Sequence, residues 1–134
     1  MMKKKQIRSE LDAVLIFQNV IKGFKELVNK CIAHRDIKPA NIFIHDGVFK
    51  IGDFGFARKF NYLEEMVVSP FIGTPFYMSP QLLKSEYYSM KCDIFSLGVL
   101  FFEILYGRMP WPAASKEELL FKIFSQPLIY PDNK

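Results

Sequence analysis

The chain has 134 residues, half of them hydrophobic, and a formal net charge of +4. This length and composition fit one modest domain that can bury a core of useful size. The small positive charge falls short of a nucleic-acid-binding signature, and the longest apolar run, residues 94–102, is far below the roughly 20 residues that cross a bilayer.

The cysteine content and the N-terminal residues indicate the compartment. Cys31 and Cys92 are the only cysteines, which is too few for a disulfide framework and fits a reducing environment. Lys3, Lys4 and Lys5 are not followed by the apolar stretch of a signal peptide, and they are read as a solvated lead-in to a helix. We therefore expect a cytoplasmic protein with no membrane span and no nucleic-acid partner.

The first predicted element is a long helix from about residue 10 to residue 30. Apolar residues recur there at helical spacing, and Ser9 can serve as the N-cap. We expect this helix to face the core.

Residues 33–55 place polar side chains at both ends of a predicted apolar hairpin. The hairpin consists of strands at 41–44 and 48–51 that are joined by a turn containing Asp46 and Gly47. Pro39 disfavours helix for the residue before it, which keeps residues 36–41 in a loop.

The residue types at the ends of this hairpin suit phosphoryl transfer, which asks a protein to hold metal ions, neutralise charge and orient a hydroxyl. Asn41 and Asp53 can supply the oxygen ligands that Mg2+ prefers. Asp36 remains available to accept the hydroxyl proton, and Lys38 can reach the same phosphate as a point charge.

Two motifs carry a resemblance to a known family. The residues H-R-D-I-K-P-A-N at 34–41 resemble the protein kinase catalytic loop, and D-F-G at 53–55 resembles its metal-binding motif. The resemblance implies ATP and Mg2+ as cofactors and a protein substrate, with Asp36 and Lys38 as catalytic residues and with Lys38, Asn41 and Asp53 at the nucleotide and its metal ions. It also gives His34 a structural place in the loop.

Two further positions follow from the same resemblance. Phe43 would lie on the floor of the adenine site, and a phenylalanine that faces the core is an equal alternative. Lys38 together with Gly73 and Thr74 resembles the serine/threonine class, which implies that Thr74 bonds near Asp36 and Lys38 as part of the catalytic set. An ordinary turn threonine is the alternative.

Residues 54–81 form a long connector of little periodicity that resembles an activation segment. Ser69 lies five residues before Thr74, where activating phosphorylation often falls in this family. A phosphate there adds about −1.5 to −2 charges and could pair with the regulatory arginines Arg35 or Arg58, although serine before proline is also common in ordinary loops.

Two short sequences in this connector bear on the subfamily and on the end of the segment. The F-A-R at residues 56–58 is similar to kinases that start autophagy. The segment closes with S-P-Q at residues 79–81, where the family usually has Ala-Pro-Glu, so Gln81 cannot form the family's ion pair.

Three more helices are predicted at about 80–85, 89–106 and 115–125. Gly107 ends the second of them, and Ser115 with Glu118 forms a capping box for the third. In the family resemblance, Asp93 is the buried aspartate that holds the catalytic-loop backbone, which is a structural role.

The sequence contains no glycine-rich loop, no strand lysine of the V-A-I-K type and no helix glutamate to pair with it. We therefore expect residues 1–134 to be a partial kinase domain, namely the large C-terminal lobe, mainly α with a small β-hairpin, without the N-lobe and the last helices. The expected function is transfer of the ATP γ-phosphoryl group to protein Ser/Thr hydroxyls, with no activity in the isolated chain. The expected partner is the missing N-lobe in cis or another kinase. The alternative is a noncatalytic lobe that acts as a decoy or scaffold.

Overall fold

The computed structural model describes residues 9–70 and 72–131, so Lys3, Lys4 and Lys5 lie outside the described part of the chain. Within those ranges the protein has four α-helices and two two-stranded antiparallel sheets. In chain order, the elements are α1 (Glu10–Asn29), β1 (Ile32–Ala33), β2 (Ile42–His45), β3 (Val48–Ile51), β4 (Arg58–Lys59), α2 (Pro80–Leu83), α3 (Cys92–Tyr106) and α4 (Lys116–Ser125), with 3-10 turns at Pro39–Asn41 and Pro75–Tyr77.

Helix α1 follows its sequence pattern closely. Ser9 Oγ accepts a hydrogen bond from Asp12 N at 3.1 Å, as expected of an N-cap. The buried residues repeat every three or four positions and are Ala13, Ile16, Val20, Phe24 and Leu27. The helix ends at Asn29, one residue before the predicted end, and Cys31 then adopts a φ of 54° that turns the chain into β1.

The sheets differ from the prediction of a single hairpin. Strands β2 and β3 pair from Ile42 opposite Ile51 to His45 opposite Val48. The strand begins one residue later than predicted because Asn41 N donates to Lys38 O at 3.0 Å, which places Asn41 in a 3-10 turn. The second sheet, β1 with β4, was not predicted and joins residues 32–33, just before the loop at 34–41, to residues 58–59.

The helices after residue 79 are shorter than predicted at their ends. Helix α2 stops at Leu83 and is followed by Ser85 at a φ of 56°. Helix α3 begins at Cys92, since residues 89–91 form a tight turn in which Cys92 N donates to Ser89 O at 3.1 Å. Gly107, at a φ of 67°, closes α3 as predicted.

Helix α4 begins with a variant of the predicted capping box. Ser115 Oγ accepts from Glu118 N at 3.1 Å, and the Glu118 carboxylate accepts from Ala114 N at 2.7 Å instead of from the N-cap amide. Throughout residues 9–70 and 72–131, no helix has both the length and the apolar character that a membrane crossing requires.

Two apolar clusters hold these elements together, and α3 contributes to both. The first cluster lies between α1 and α3 and includes Ile37 and Ile42 from either side of the 3-10 turn. The second joins β1, α2 and α4 through residues such as Leu83 and Leu119, and Cys92 belongs to it. The loop at residues 34–41 is therefore supported from both sides by packed helices.

Replacing Leu100 by alanine tests the first cluster. Leu100 is fully buried on α3, so Leu100→Ala should lower the free energy of unfolding by about 2 to 5 kcal/mol through lost burial and a cavity. The matched control is Leu11→Ala, because Leu11 is 67% exposed and its loss should change stability by less than about 0.5 kcal/mol. Urea unfolding measures both, and equal effects would contradict the assigned core.

Candidate active site

The carboxylate of Asp36 is the centre of a compact polar network. Asp36 is only 5% exposed, and its Oδ2 atom lies 2.8 Å from Lys38 Nζ and 2.9 Å from Asn41 Nδ2. Thr74 Oγ1 donates to Asp36 Oδ1 at 2.8 Å and accepts from Lys38 Nζ at 2.7 Å. Asp36, Lys38 and Thr74 therefore form a closed triangle, with Asn41 bound to one side of it.

The network keeps Asp36 ionised. Burial alone would raise the pKa of Asp36, but the hydrogen bonds from Lys38, Thr74 and Asn41 and the charge of Lys38 together hold the pKa below its ordinary value of 3.8. The carboxylate is thus an acceptor at neutral pH.

Asp93 supports the loop from helix α3. It is fully buried, and its two oxygens accept from His34 N at 2.6 Å and from Arg35 N at 2.9 Å. Burial raises the pKa of Asp93, and the hydrogen bonds from the two backbone amides oppose that rise. These bonds fix the backbone just before Asp36.

His34 connects this loop to the residues that precede Asp53. Its Nδ1 atom accepts from Asp36 N at 3.3 Å, so the proton is assigned to Nε2, which donates to Gly52 O at 3.0 Å. The Phe54 ring packs edge-on against the buried imidazole with a centroid distance of 5.2 Å. Residues 34–36 and 52–54 are therefore held together.

Asn41 is bonded to Asp36, and the residue that precedes Asp53 is bonded to Asn41. Asn41 Nδ2 donates to both the backbone oxygen and the carboxylate of Asp36, which turns the amide nitrogen inward. Gly52 N donates to Asn41 O at 2.9 Å, so the residue before Asp53 is bonded to Asn41.

The donor set at these two residues fits a hard cation. Asp53 is exposed, and one of its carboxylate oxygens accepts from Gly55 N at 3.2 Å. Within the described ranges no group of three or more His, Cys, Asp and Glu side chains is gathered around a common point, whereas Mg2+ commonly takes one or two protein ligands.

Gly73 allows residues 73–74 to pack closely against the loop at residues 34–41. Its φ is 116°, and a Cβ atom there would lie 2.6 Å from the carbonyl oxygen of Arg35. Only glycine permits this approach, which delivers the Thr74 hydroxyl to Asp36.

The regulatory residues proposed from the sequence are only partly brought together. Ser69 is 6% exposed, and its hydroxyl accepts from Arg35 Nη1 at 3.1 Å. The guanidinium of Arg58 lies over the Phe60 ring at 5.7 Å, and no hydrogen bond joins Arg58 to Ser69 among the described residues. Of the two arginines, Arg35 is thus the one that is hydrogen-bonded to Ser69.

Phe43 does not face the core. Its side chain is 43% exposed on the outer side of the hairpin, and its ring covers Gly52, where a Cβ atom would lie 2.7 Å from it. The core-facing alternative is wrong because the ring packs over a glycine at the surface.

Gln81 is also exposed, and it takes part in none of the ion pairs among the described residues.

Sequence reasoning missed the bonds that join residues 75–77 to α3. Tyr77 OH donates to Glu103 Oε2 at 2.5 Å, and Ser96 Oγ donates to Tyr77 O at 2.6 Å. Burial, followed by the bond to Glu103, raises the pKa of Tyr77. The partners are 26 and 19 residues apart, so no local pattern announces them.

Comparison with known proteins agrees with this geometry. Residues 1–132 match the family model of the protein kinase domain. Putative serine/threonine-protein kinase A of Trypanosoma brucei brucei is 34% identical over 118 residues, which cover 87% of this chain and 27% of that protein. Serine/threonine-protein kinase TIO of Arabidopsis thaliana is 39% identical over 118 residues, which cover 87% of this chain and 9% of that protein. Serine/threonine-protein kinase atg1 of Dictyostelium discoideum is 32% identical over 130 residues, which cover 93% of this chain and 19% of that protein.

The chain therefore belongs to the protein kinase family and is of the serine/threonine type. Members of this family generally use ATP and Mg2+ and act on proteins. The chain spans 27% or less of the length of these three relatives.

The lowered pKa of Asp36 predicts a pH effect on stability. Since its pKa is lower in the folded than in the unfolded state, the stabilisation is complete above the unfolded value and is lost as the pH falls through the folded value. Between about pH 6 and about pH 3, the unfolding free energy of the wild type should fall more than that of Asp36→Asn, by on the order of 1 kcal/mol. Thr74→Val removes one of the bonds and should give an intermediate fall. Urea titrations at each pH measure the unfolding free energy. An identical fall in the wild type and in Asp36→Asn would contradict the network.

Proposed function

We propose that residues 9–131 form the C-terminal lobe of a serine/threonine protein kinase and carry its phosphoryl-transfer groups. The observation that carries this proposal is the closed triangle of Asp36, Lys38 and Thr74, with Asn41 bound beside it. A carboxylate, an ammonium group and an amide are the groups that this reaction needs around a hydroxyl and a phosphate.

Asp36 is assigned as the residue that orients the attacking Ser or Thr hydroxyl. Because its pKa is held low, the carboxylate is a weak base, which suits a loose transition state in which the proton leaves late. Lys38, 2.8 Å away, places a positive charge where the transferred phosphoryl group carries negative charge. Thr74 is hydrogen-bonded to both Asp36 and Lys38 and holds their side chains in position.

Asn41 and Asp53 are assigned as ligands of the metal ions. When bound, Mg2+ offsets the negative charge of the ATP phosphates. The bonds from Asn41 Nδ2 to Asp36 orient the amide so that Oδ1 points away from that carboxylate, and Asp53 retains a carboxylate oxygen that Gly55 N does not occupy. Phe43 is assigned to the adenine side of the nucleotide, which its position on the outer face of the hairpin supports.

We further propose that the isolated 134-residue chain does not catalyse phosphoryl transfer. Activity would require a nucleotide-binding N-lobe, supplied in cis or by a kinase partner. Its sequence holds no glycine-rich loop, and orientation of reactants alone can contribute roughly 7 to 11 kcal/mol to catalysis. Phe43, Phe54 and Phe56, each about half exposed around the site, support a covering partner. Cytoplasmic location and regulation through a phosphate on Ser69 remain predictions.

Metal binding tests the assignment of Asn41 and Asp53. Mn2+ with ADP should broaden the NMR amide signals of these two residues in the 134-residue chain. Asp53→Asn should weaken Mn2+ binding by about tenfold or more, because it removes a charged oxygen ligand. Asp46→Asn is the matched control, since Asp46 is an exposed carboxylate at the hairpin turn and should bind Mn2+ as the wild type does. Equal affinities of the two variants would favour the noncatalytic decoy or scaffold.

Catalysis tests the assignment of Asp36. In a form of the protein that includes a nucleotide-binding lobe, Asp36→Asn should lower kcat by about 10²- to 10⁴-fold, with the KM for ATP changed by less than about threefold. Steady-state transfer of radiolabelled phosphate from ATP to Ser/Thr peptides measures this change. Asp46→Asn again serves as the control and should retain activity. An Asp36→Asn variant with near-normal kcat would refute the proposed base.

A further inference from the structure

The hydroxyl of Tyr88 binds an arginine of the catalytic loop, although nothing in the proposed chemistry requires it. Tyr88 lies between α2 and α3 and is 2% exposed. Its oxygen accepts a hydrogen bond at 2.9 Å from Nη1 of Arg35, which is 53 residues earlier in the chain. A buried phenol aimed at a guanidinium is a specific contact, because both groups are costly to bury without partners.

The position of Tyr88 is fixed by the activation segment, residues 54–81. Tyr88 N donates to Val67 O and Val67 N donates to Tyr88 O, both at 2.9 Å, as an isolated antiparallel bridge. Its ring also packs edge-on against Phe60 with a centroid distance of 6.1 Å. Phe60 and Val67 therefore help to hold the phenol at Arg35.

Arg35 contacts the same segment at two further points. Its Nε atom donates to Phe56 O at 2.6 Å, and Nη1 donates to Ser69 Oγ at 3.1 Å. Its backbone, at a φ of 66°, is held by Asp93. The three acceptors of the guanidinium are neutral, and no carboxylate pairs with it among residues 9–70 and 72–131.

We propose that Tyr88 is a positioning residue that anchors the Arg35 guanidinium and thereby holds the activation segment on the catalytic loop without a phosphate. The relevance to catalysis rests on the proposed function, whereas the anchoring itself does not. Tyr88 is assigned as the anchor in preference to Ser69 because its position is fixed by the backbone bridge to Val67 and by the ring contact with Phe60. A phosphate on Ser69 would then add charge to a segment that is already ordered.

The test compares Tyr88→Phe with Tyr87→Phe in the 134-residue chain. Both changes remove one hydroxyl, but Tyr87 is 66% exposed and makes no bond to Arg35 among the described residues. In Tyr88→Phe, amide hydrogen exchange of residues 57–69 should accelerate by about tenfold to a hundredfold, the factor for one hydrogen bond to a charged group. In Tyr87→Phe it should stay within about twofold of the wild type.

NMR of the Arg35 side chain gives a readout that a purely structural role would not move. Rotation of the guanidinium about its Nε–Cζ bond should be slow in the wild type and in Tyr87→Phe, and faster in Tyr88→Phe. Neither measurement uses nucleotide or substrate. A negative result would therefore count against the anchoring role of Tyr88 and not against the proposed kinase activity. Equal exchange and equal rotation in the two variants would overturn the proposal.

Ser69→Ala keeps the proposal testable should Tyr88→Phe fail to fold. This variant removes the other acceptor of Nη1 and leaves the phenol and its frame intact. Slow rotation of the Arg35 guanidinium in Ser69→Ala would support Tyr88 as the anchor. Rotation as fast as that of an exposed arginine would refute it.

Discussion

The arrangement of the candidate site depends on one buried carboxylate, that of Asp93. A buried carboxyl group is costly unless it is hydrogen-bonded, and each oxygen of Asp93 accepts from a backbone amide, one from His34 and one from Arg35. The same two bonds fix the loop on helix α3, which is packed into both apolar clusters. The position of Asp36 is therefore set by the core of the protein and not by the flexibility of its own loop.

Helix α3 also positions the segment that carries Thr74. Ser96 and Glu103, two turns apart on α3, bond the backbone oxygen and the hydroxyl of Tyr77. Gly73 then allows the chain to approach the Arg35 carbonyl closely enough for Thr74 to reach Asp36. Helix α3 thus bonds both the loop that carries Asp36 and the segment that carries Thr74, which helps to set their relative position.

The sequence predicted those features that depend on neighbours along the chain. Helix α1 was predicted to within one residue because its apolar spacing and its Ser9 cap are local signals. The sheet of β1 and β4 was missed, since two-residue strands show no periodicity and their paired residues, Ile32 with Lys59 and Ala33 with Arg58, are far apart in the chain. The bond between Arg35 and Tyr88 was missed for the same reason, because only the folded chain brings residues so distant together. The predicted start of α3 was too early, since residues 89–91 form a turn that leads directly into the helix.

Two residues of the site occupy left-handed backbone conformations, Arg35 at a φ of 66° and Asp53 at 61°. For a residue with a side chain this conformation costs about 1 to 2 kcal/mol, and glycine would avoid that cost. A glycine at position 53 would therefore relax the backbone while it deleted the carboxylate. If Asp53 binds a metal ion as proposed, glycine at this position in a relative would combine a relaxed backbone with the loss of that ligand, and it would mark a lineage without the proposed reaction.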